Sequence, residues 1–216
     1  DTSSNTFQSN LSTYTVADTL PVFTLSINNT SPKINEFVQF ASMVNDSDNI
    51  STIISSWNCS SSGKWINISN MTLSPNALGT NYTMNQSVGL IRNNTCGFQF
   101  YSNDTIATFT SSSLNTFVVA NTAPIPPTII LPENDRLYNV QPLSINWTAL
   151  ADVDNDVLTA YIYINGTLNQ TTTTNTTLNA SDGKYTLNIS LYDGVAFTSN
   201  TTVNSFKIDT VNPIIT

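Results

Sequence analysis

The chain has 216 residues, with 6 Lys and Arg against 14 Asp and Glu, a net charge of −8 and no His. The absence of His excludes nucleophile activation by Ser-His or Cys-His pairs, and it excludes zinc sites with His ligands. Six scattered cations on an acidic chain also exclude a surface that follows the phosphates of a nucleic acid.

Asn, Ser and Thr dominate the composition, with 30, 26 and 33 copies. Their short polar side chains bond to the local backbone and β-branched Thr is stiff at χ1, so these residues favour strands and turns over helices. Hydrophobic residues still make up 39% of the chain, which is enough to build a core. We therefore expect a folded all-β protein.

The N-terminal segment is repeated twice further along the chain. A shift of 103 residues aligns 1–21 with 104–124 and gives nine identical positions, and a shift of 89 aligns 104–124 more weakly with 193–213. Each copy ends in an aromatic-x-aliphatic strand followed by a proline. Because Pro is rare in central strands and common in linkers, the three prolines predict domain boundaries.

These boundaries divide the chain into four parts. The expected parts are the terminal strand and linker of a preceding or neighbouring domain at 1–19, complete units at 20–121 and 122–210, and the start of a further domain or a linker at 211–216. No stretch reaches the roughly 20 apolar residues of a membrane span, and the N-terminus lacks the pattern of a signal peptide. A secreted chain of this sequence would therefore be a mature fragment.

Cysteine and tryptophan mark the first unit, whose apolar runs predict strands at 23–27, 37–44, 53–59, 96–101 and 114–119. Cys59 and Cys96 predict either one disulfide in an oxidising compartment or two buried thiols in a reducing one. Trp57 shares the strand parity of Cys59 and is expected in the core. Trp65 is expected either in the core or exposed as a platform on which a sugar can stack.

Turn dipeptides such as Asn165-Gly166 and Asp193-Gly194 separate the apolar runs of the second unit. Trp147 shares one strand face with Leu143 and Ile145 and is therefore expected in the core. The threonine-rich run 171–177 predicts an exposed edge strand. The apolar runs predict strands at 128–131, 143–148, 158–164, 185–192 and 202–208.

Alternating carboxylates form one candidate site. Asp152, Asp154 and Asp156 have the spacing of the acidic half of a calcium loop, and Asp46 and Asp48 form a thinner version. Because no Glu follows at the distance of an EF-hand, a calcium site and a solvated acidic turn both remain possible. All three carboxylates lie in one short turn rather than across a cleft, so we expect no enzyme.

Asn-x-Ser/Thr sequons occur 19 times, whereas the composition alone would produce about 8. The excess predicts N-linked glycans on the surface of a secreted protein, although alternating strands in an Asn- and Thr-rich chain would also place polar residues two apart. The sequon asparagines are Asn10, Asn28, Asn29, Asn45, Asn49, Asn58, Asn67, Asn70, Asn81, Asn85, Asn93, Asn103, Asn146, Asn165, Asn169, Asn175, Asn179, Asn188 and Asn200.

Several motifs resemble a known class of repeat. In the second unit Leu143-Ser-Ile-Asn-Trp147 and Leu191-Tyr-Asp-Gly194 resemble immunoglobulin-like or fibronectin type III-like repeats of large surface proteins. In the first unit Trp57-x-Cys59 resembles sister repeats of archaeal surface glycoproteins. The resemblance implies two tandem immunoglobulin-like β-sandwich domains of about seven strands each. It also places the strands of Cys59 and Cys96 side by side, which implies a disulfide within one sheet.

Together these patterns predict a structural segment of an extracellular, heavily N-glycosylated fibre or cell-surface stalk, whose partner is itself. Residues 1–17 would either belong to an upstream domain of the same polypeptide or complete a sandwich in a neighbouring subunit by strand donation. The alternative is an adhesin or carbohydrate-binding module that uses Trp65, Tyr82 or the acidic loops. An accessory domain of a larger surface enzyme is a third interpretation.

Overall fold

The computed structural model describes residues 17–72, 79–106, 108–198 and 204–211, and every regular element in these ranges is a strand. The all-β prediction is therefore confirmed. None of the described segments forms a helix long and apolar enough to cross a membrane. The strands are β1 (Val22–Ile27), β2 (Phe37–Asn45), β3 (Ile50–Trp57), β4 (Ile66–Thr72), β5 (Gly79–Ser87), β6 (Thr95–Asp104), β7 (Phe109–Ser111), β8 (Asn115–Val118), β9 (Ile129–Leu131), β10 (Arg136–Tyr138), β11 (Leu143–Trp147), β12 (Thr159–Ile164), β13 (Thr167–Thr172), β14 (Thr176–Leu178), β15 (Gly183–Tyr192) and β16 (Asn204–Ile208).

Strands β1 to β8 form the first sandwich, called domain 1 below. One sheet has the order β1-β2-β5, and the other has the order β4-β3-β6-β7, with β8 also pairing with β6. Alternate residues of β2, from Val38 through Phe40 and Ser42 to Val44, are buried because successive side chains of a strand point to opposite faces of the sheet. Phe40 of β2 meets three rings of the opposite sheet, with centroids 4.9 Å away at Phe98, 5.9 Å at Phe100 and 6.1 Å at Trp57.

Strands β9 to β16 form the second sandwich, domain 2. Its sheets have the orders β14-β11-β9 and β10-β16-β15-β12-β13, and β10 runs parallel to β16. Its core is a separate cluster that includes Ile145, Trp147, Ile162, Leu187 and Ile189. The threonine-rich run 171–177 is not one strand, because it spans the end of β13, a bend at 173–175 and the start of β14. Both strands lie at the edge of a sheet, in different sheets.

Six strands were missed by the search for apolar runs: β4, β5, β7, β10, β13 and β14. Most of them consist largely of Asn, Thr, Ser and Gln, as in the Gly79–Ser87 sequence of β5. Such strands contribute at most one or two apolar side chains to a core, such as Tyr82 and Met84 of β5 and Leu178 of β14, and their other positions are mostly polar. Their polar side chains therefore carry little hydrophobic periodicity for a sequence search to detect.

Cys59 and Cys96 are joined by a disulfide, with Cα atoms 5.0 Å apart. Cys59 lies two residues after the end of β3 and Cys96 lies in β6, and these two strands pair with Trp57 opposite Phe98. The disulfide therefore lies within one sheet, as the resemblance implied, and the free-thiol alternative is wrong. The predicted terminal strand of a neighbouring domain falls mostly on residues 1–16, and the predicted start of a further domain falls mostly on 212–216. Both segments lie outside the described residues.

Candidate functional site: an acidic junction between the sandwiches

The predicted calcium loop lies at the boundary between the two domains. Asp152, Asp154 and Asp156 follow β11, and each offers a carboxylate oxygen within 4.8 Å of the others. The loop meets Arg92, which precedes β6 of domain 1, and the linker residue Thr122. We call this cluster of three carboxylates, together with Arg92 and Thr122, the junction.

Asp154 is the buried centre of the junction. Its Oδ1 accepts a hydrogen bond from the backbone N–H of Arg92 at 3.1 Å, and its Oδ2 accepts one from the backbone N–H of Thr122 at 2.7 Å. The backbone N–H of Asp154 in turn donates to Oδ1 of Asp152 at 2.6 Å. One carboxylate therefore binds domain 1 and the linker at once, through charge-assisted hydrogen bonds.

Arg92 also forms an ion pair across the boundary. Its Nε lies 2.9 Å from Oδ1 and 2.7 Å from Oδ2 of Asp156, and both side chains are largely buried. A guanidinium and a carboxylate at this distance compensate each other for their lost hydration. The solvated-turn interpretation of the acidic loop is therefore wrong, because the loop is packed against another domain.

A fourth carboxylate, Asp193, binds the linker residue Asn121, and both residues are included in the junction below. Oδ2 of Asp193 accepts a hydrogen bond from the Asn121 side-chain amide at 2.8 Å, while Oδ1 accepts from the backbone N–H groups of Val195 and Ala196, both at 2.6 Å. Burial works to raise the pKa of Asp193. The Ala196 N–H, the Asn121 amide, the Val195 N–H and the charge of Arg92 outweigh it and lower that pKa below the usual 3.8.

The same arrangement recurs at the start of domain 1. The backbone N–H of Thr19 donates to Oδ2 of Asp48 at 2.9 Å, as Thr122 does to Asp154. Oδ1 of Asp104 accepts from two backbone N–H groups of its turn, at Ile106 and Thr108, as Asp193 does in domain 2. The sequence repeat that pairs Asp104 with Asp193 contained this signal, but the repeat did not indicate that the acidic loop and the linker meet.

The donor set of the junction consists of oxygen atoms, which are the ligands that Ca²⁺ prefers. Oδ2 of Asp152, Oδ1 of Asn121 and Oγ1 of Thr122 are buried without a hydrogen-bond partner. Arg92 already places one positive charge against Asp156. The residues thus offer free oxygen ligands for calcium, although a cationic side chain competes for one carboxylate, and calcium binding remains a proposal.

We expect the contributions of Asp152 and Asp193 to folding stability to change with pH in opposite directions. Burial and the charges of Asp156 and Asp154 raise the pKa of Asp152 above 3.8, so its ionised form opposes folding at neutral pH. We expect Asp152→Asn to be more stable than the wild type at pH 7, with the difference shrinking as the pH falls toward 3.8. Asp193 has a lowered pKa, so its ionised form favours folding above 3.8 and that stability is lost on acidification.

Asp193→Asn therefore serves as the matched control. We expect it to be less stable than the wild type at pH 7 and to approach the wild type below pH 3.8. Urea unfolding between pH 3 and pH 7 measures both differences. Two variants that respond to pH with the same sign would contradict this account of the junction.

Sequon asparagines line the surface of both domains. Of those whose side chains the structure describes, none is buried. Asn10 and Asn200 lie outside the described residues, as does the side chain of Asn70. Six of the others accept protein hydrogen bonds through Oδ1, which leaves Nδ2, the atom that carries an N-linked sugar, available: Asn28, Asn29, Asn58, Asn67, Asn165 and Asn175.

The aromatic candidates divide clearly by exposure. Trp57 and Trp147 are 2% and 5% exposed, which confirms both as core residues. Trp65 is 47% exposed. Tyr82 is buried, with its ring edge-on to Phe100 at 6.0 Å, so its suggested role as a sugar platform is wrong.

Comparison with known proteins supports the fold. No protein-family model and no curated protein matches the sequence. The D1–D4 ectodomain fragment of ICAM-5 is similar at 12% identity and a TM-score of 0.50, over 86% of this chain and 53% of that fragment, so the chain spans about half of it. Fibronectin(III)-like modules of Clostridium thermocellum CbhA are similar at 14% identity over 86% of this chain and 93% of theirs, with a TM-score of 0.34. The FN1–FN3 domains of chicken CNTN1 are similar at 11% identity over 85% and 64%, with a TM-score of 0.29. At 12% identity the likeness to ICAM-5 concerns the fold alone, and it agrees with two β-sandwiches of the immunoglobulin-like class.

Proposed function

We propose that this chain is a structural segment of an extracellular, heavily N-glycosylated fibre or cell-surface stalk built from tandem immunoglobulin-like domains. The observation that carries the proposal is the junction, in which Arg92, Asn121 and Thr122 bind carboxylates of domain 2. A stalk must hold consecutive domains at a fixed spacing and orientation. Directional, buried contacts between one domain, the linker and the next domain supply that constraint.

The recurrence of the acidic loop supports a tandem array. Asp46 and Asp48 hold the linker residue Thr19 as the second loop holds Thr122. Within the described ranges no Lys or Arg forms an ion pair with either of them. By analogy with Arg92, we propose that a preceding domain or a neighbouring subunit contacts this first loop.

The link to that neighbour is either covalent or made by strand donation. Mass measurement of the native assembly under denaturing conditions distinguishes the two. A single species of 23.5 kDa plus glycans would contradict a covalent array. A much larger polypeptide would contradict donation between separate subunits.

An extracellular location is supported by two independent features. A disulfide persists in oxidising compartments, and none of the described sequon asparagines is buried. In domain 2, glycans at Asn165, Asn169, Asn175 and Asn179 would surround the uncharged edge strand β13. Such a cover would keep this edge from pairing with other chains.

The test of the stalk is Arg92→Gln. We expect the variant to lose about 1–2 kcal/mol of stability, because the largely buried Asp156 is left without its cation. We also expect a broader distance distribution between spin labels at Ser61 in domain 1 and Thr173 in domain 2. Pulsed electron spin resonance measures that distribution.

Arg136→Gln is the matched control, since Arg136 pairs with the exposed Glu133 away from the junction. Its label distances should equal those of the wild type. Unchanged distances in Arg92→Gln would count against the proposed stalk.

The calcium proposal is tested by measuring the thermal midpoints of the wild type and of Arg92→Gln, each with calcium and with a chelator. Calcium should stabilise Arg92→Gln more than the wild type. No shift of the midpoint in either protein would refute calcium binding.

The exposed Trp65 favours a second candidate, a carbohydrate-binding module of a large surface protein. It lies on a shallow groove with Tyr101 and Phe109. Binding of free oligosaccharides that survives deglycosylation and disappears in Trp65→Ala would support this function. Absence of binding at millimolar sugar would exclude it.

A further inference from the structure

A groove of about 300 Å³ crosses the outer face of the β4-β3-β6-β7 sheet of domain 1. None of its lining residues carries a charge. The lining residues are Ile54, Ser56, Trp65, Asn67, Tyr101 and Phe109.

Aromatic rings form the floor of this aromatic groove. Phe109 is 62% exposed, and its ring stacks on Tyr101 with centroids 5.8 Å apart and planes inclined by 16°. Trp65 lies over Gly97, where an added Cβ would stand only 3.1 Å from the indole ring. Gly97 therefore leaves room for the indole beside the sheet, while 47% of Trp65 remains exposed to solvent.

Asn67 brings a glycosylation sequon into the same groove. Its Oδ1 accepts a hydrogen bond from Oγ of the buried Ser56, so the amide is fixed and Nδ2 remains available. Trp65 precedes Asn67 by two residues, and in an extended chain residues two apart face the same side. An asparagine of this kind would carry a sugar at the edge of an aromatic surface.

We propose that the N-linked glycan of Asn67 packs on Trp65, Tyr101 and Phe109, so that the aromatic groove is a binding surface for the chain's own glycan. In the attachment step Nδ2 loses a proton and forms a bond to the anomeric carbon, while the bond from that carbon to the diphosphate of an activated glycosyl donor breaks. The inference rests on the proposed glycosylation and adds to it a defined contact.

The chemistry of a pyranose fits this surface. One face of the ring presents C–H groups, and covering the indole and phenyl rings with it removes apolar area from water on both sides. The covalent tether keeps the sugar at a high effective concentration beside the rings, which an untethered oligosaccharide or a second protein chain would lack.

Tryptophan fluorescence tests the proposal directly. Because Trp57 and Trp147 are buried, acrylamide quenching reports mainly on Trp65. The probe is the full chain produced in a glycosylating host, compared with Ser69→Ala, which removes the sequon but keeps Asn67 and its bond to Ser56. We expect the quenching constant to rise at least twofold in Ser69→Ala, and the thermal midpoint of domain 1 to fall by about 4 °C.

Thr171→Ala is the matched control, because it removes the sequon of the exposed Asn169 on domain 2 and should leave quenching unchanged. Glycopeptide mass spectrometry separates the possible failures. Equal quenching of the wild type and Ser69→Ala, with Asn67 occupied in the wild type, would refute the packing of the glycan on the groove and leave the glycosylation proposal intact. An Asn67 without a glycan would also refute this packing. Sequons without glycans throughout the chain would refute the proposed function as well. Protection of Trp65 in Ser69→Ala that grows with protein concentration would assign the groove to a second copy and also refute the inference.

Discussion

Phe40→Ala is expected to lower the free energy of unfolding of domain 1 by about 3–5 kcal/mol. Phe40 is fully buried, and its ring contacts Phe98, Phe100 and Trp57 across the two sheets. Removing it therefore costs both the transfer of an aromatic side chain and the cavity left among three rings that cannot all move inward.

Phe37→Ala is the control for this prediction, since Phe37 lies in the same strand and is 70% exposed. We expect a change within about 0.5 kcal/mol for this surface position. Urea unfolding followed by near-ultraviolet circular dichroism measures both. Domain 2 has a separate core, so its transition should remain in place in the two variants. Equal losses at the two positions would contradict the packing described for β2.

Replacing both cysteines by Ala is expected to lower the stability of domain 1 by about 3–4 kcal/mol in the chain-entropy account. The disulfide joins residues separated by 37 positions, and its removal frees the unfolded chain to explore conformations that the closed loop forbids. Both side chains are fully buried, and Ala leaves no unpaired hydroxyl in their place.

Denaturant unfolding of the Cys59→Ala, Cys96→Ala double variant measures this loss. Reduced wild-type protein is the control and should show a similar loss of domain 1 stability. The transition of domain 2, which has no cysteine, should not move in either sample. A double variant as stable as the oxidised wild type would show that the disulfide makes no contribution to folding.

The effects of these core changes differ from those at the junction. Loss of Phe40 or of the disulfide should unfold one domain and leave the other intact, because the two cores share no residues. Arg92→Gln should leave both sandwiches folded while releasing their relative orientation. A variant that folds but no longer holds its domains in line would be the most direct evidence that a stalk depends on the junction.

The strands with alternating apolar residues were predictable from the sequence. In β11 the apolar Leu143, Ile145 and Trp147 recur with a period of two, and parity with Cys59 likewise placed Trp57 in the core. Strands such as β5 and β13 were not predictable in this way. Burial alternates along β5, but Tyr82 and Met84 are its only large apolar side chains, and β13 has only the exposed Leu168, so little hydrophobic periodicity appears in the sequence.

The spacing of Asp152, Asp154 and Asp156 identified a site but not its partners. Local sequence predicted either a calcium site, because alternate residues of a short turn can face a common centre, or a solvated acidic turn. It could not show that Arg92, some 60 residues earlier, would supply the opposing charge.

The composition of this chain was sufficient for its class of secondary structure, and the order of its residues was sufficient for its repeats and its sequons. These properties depend on neighbours in sequence or on counts. The junction and the aromatic groove depend on contacts between segments far apart in the chain, such as Arg92 with Asp156 and Trp65 with Gly97. Only the packing of sheets and domains brings such residues together, so only the tertiary structure could reveal what they form.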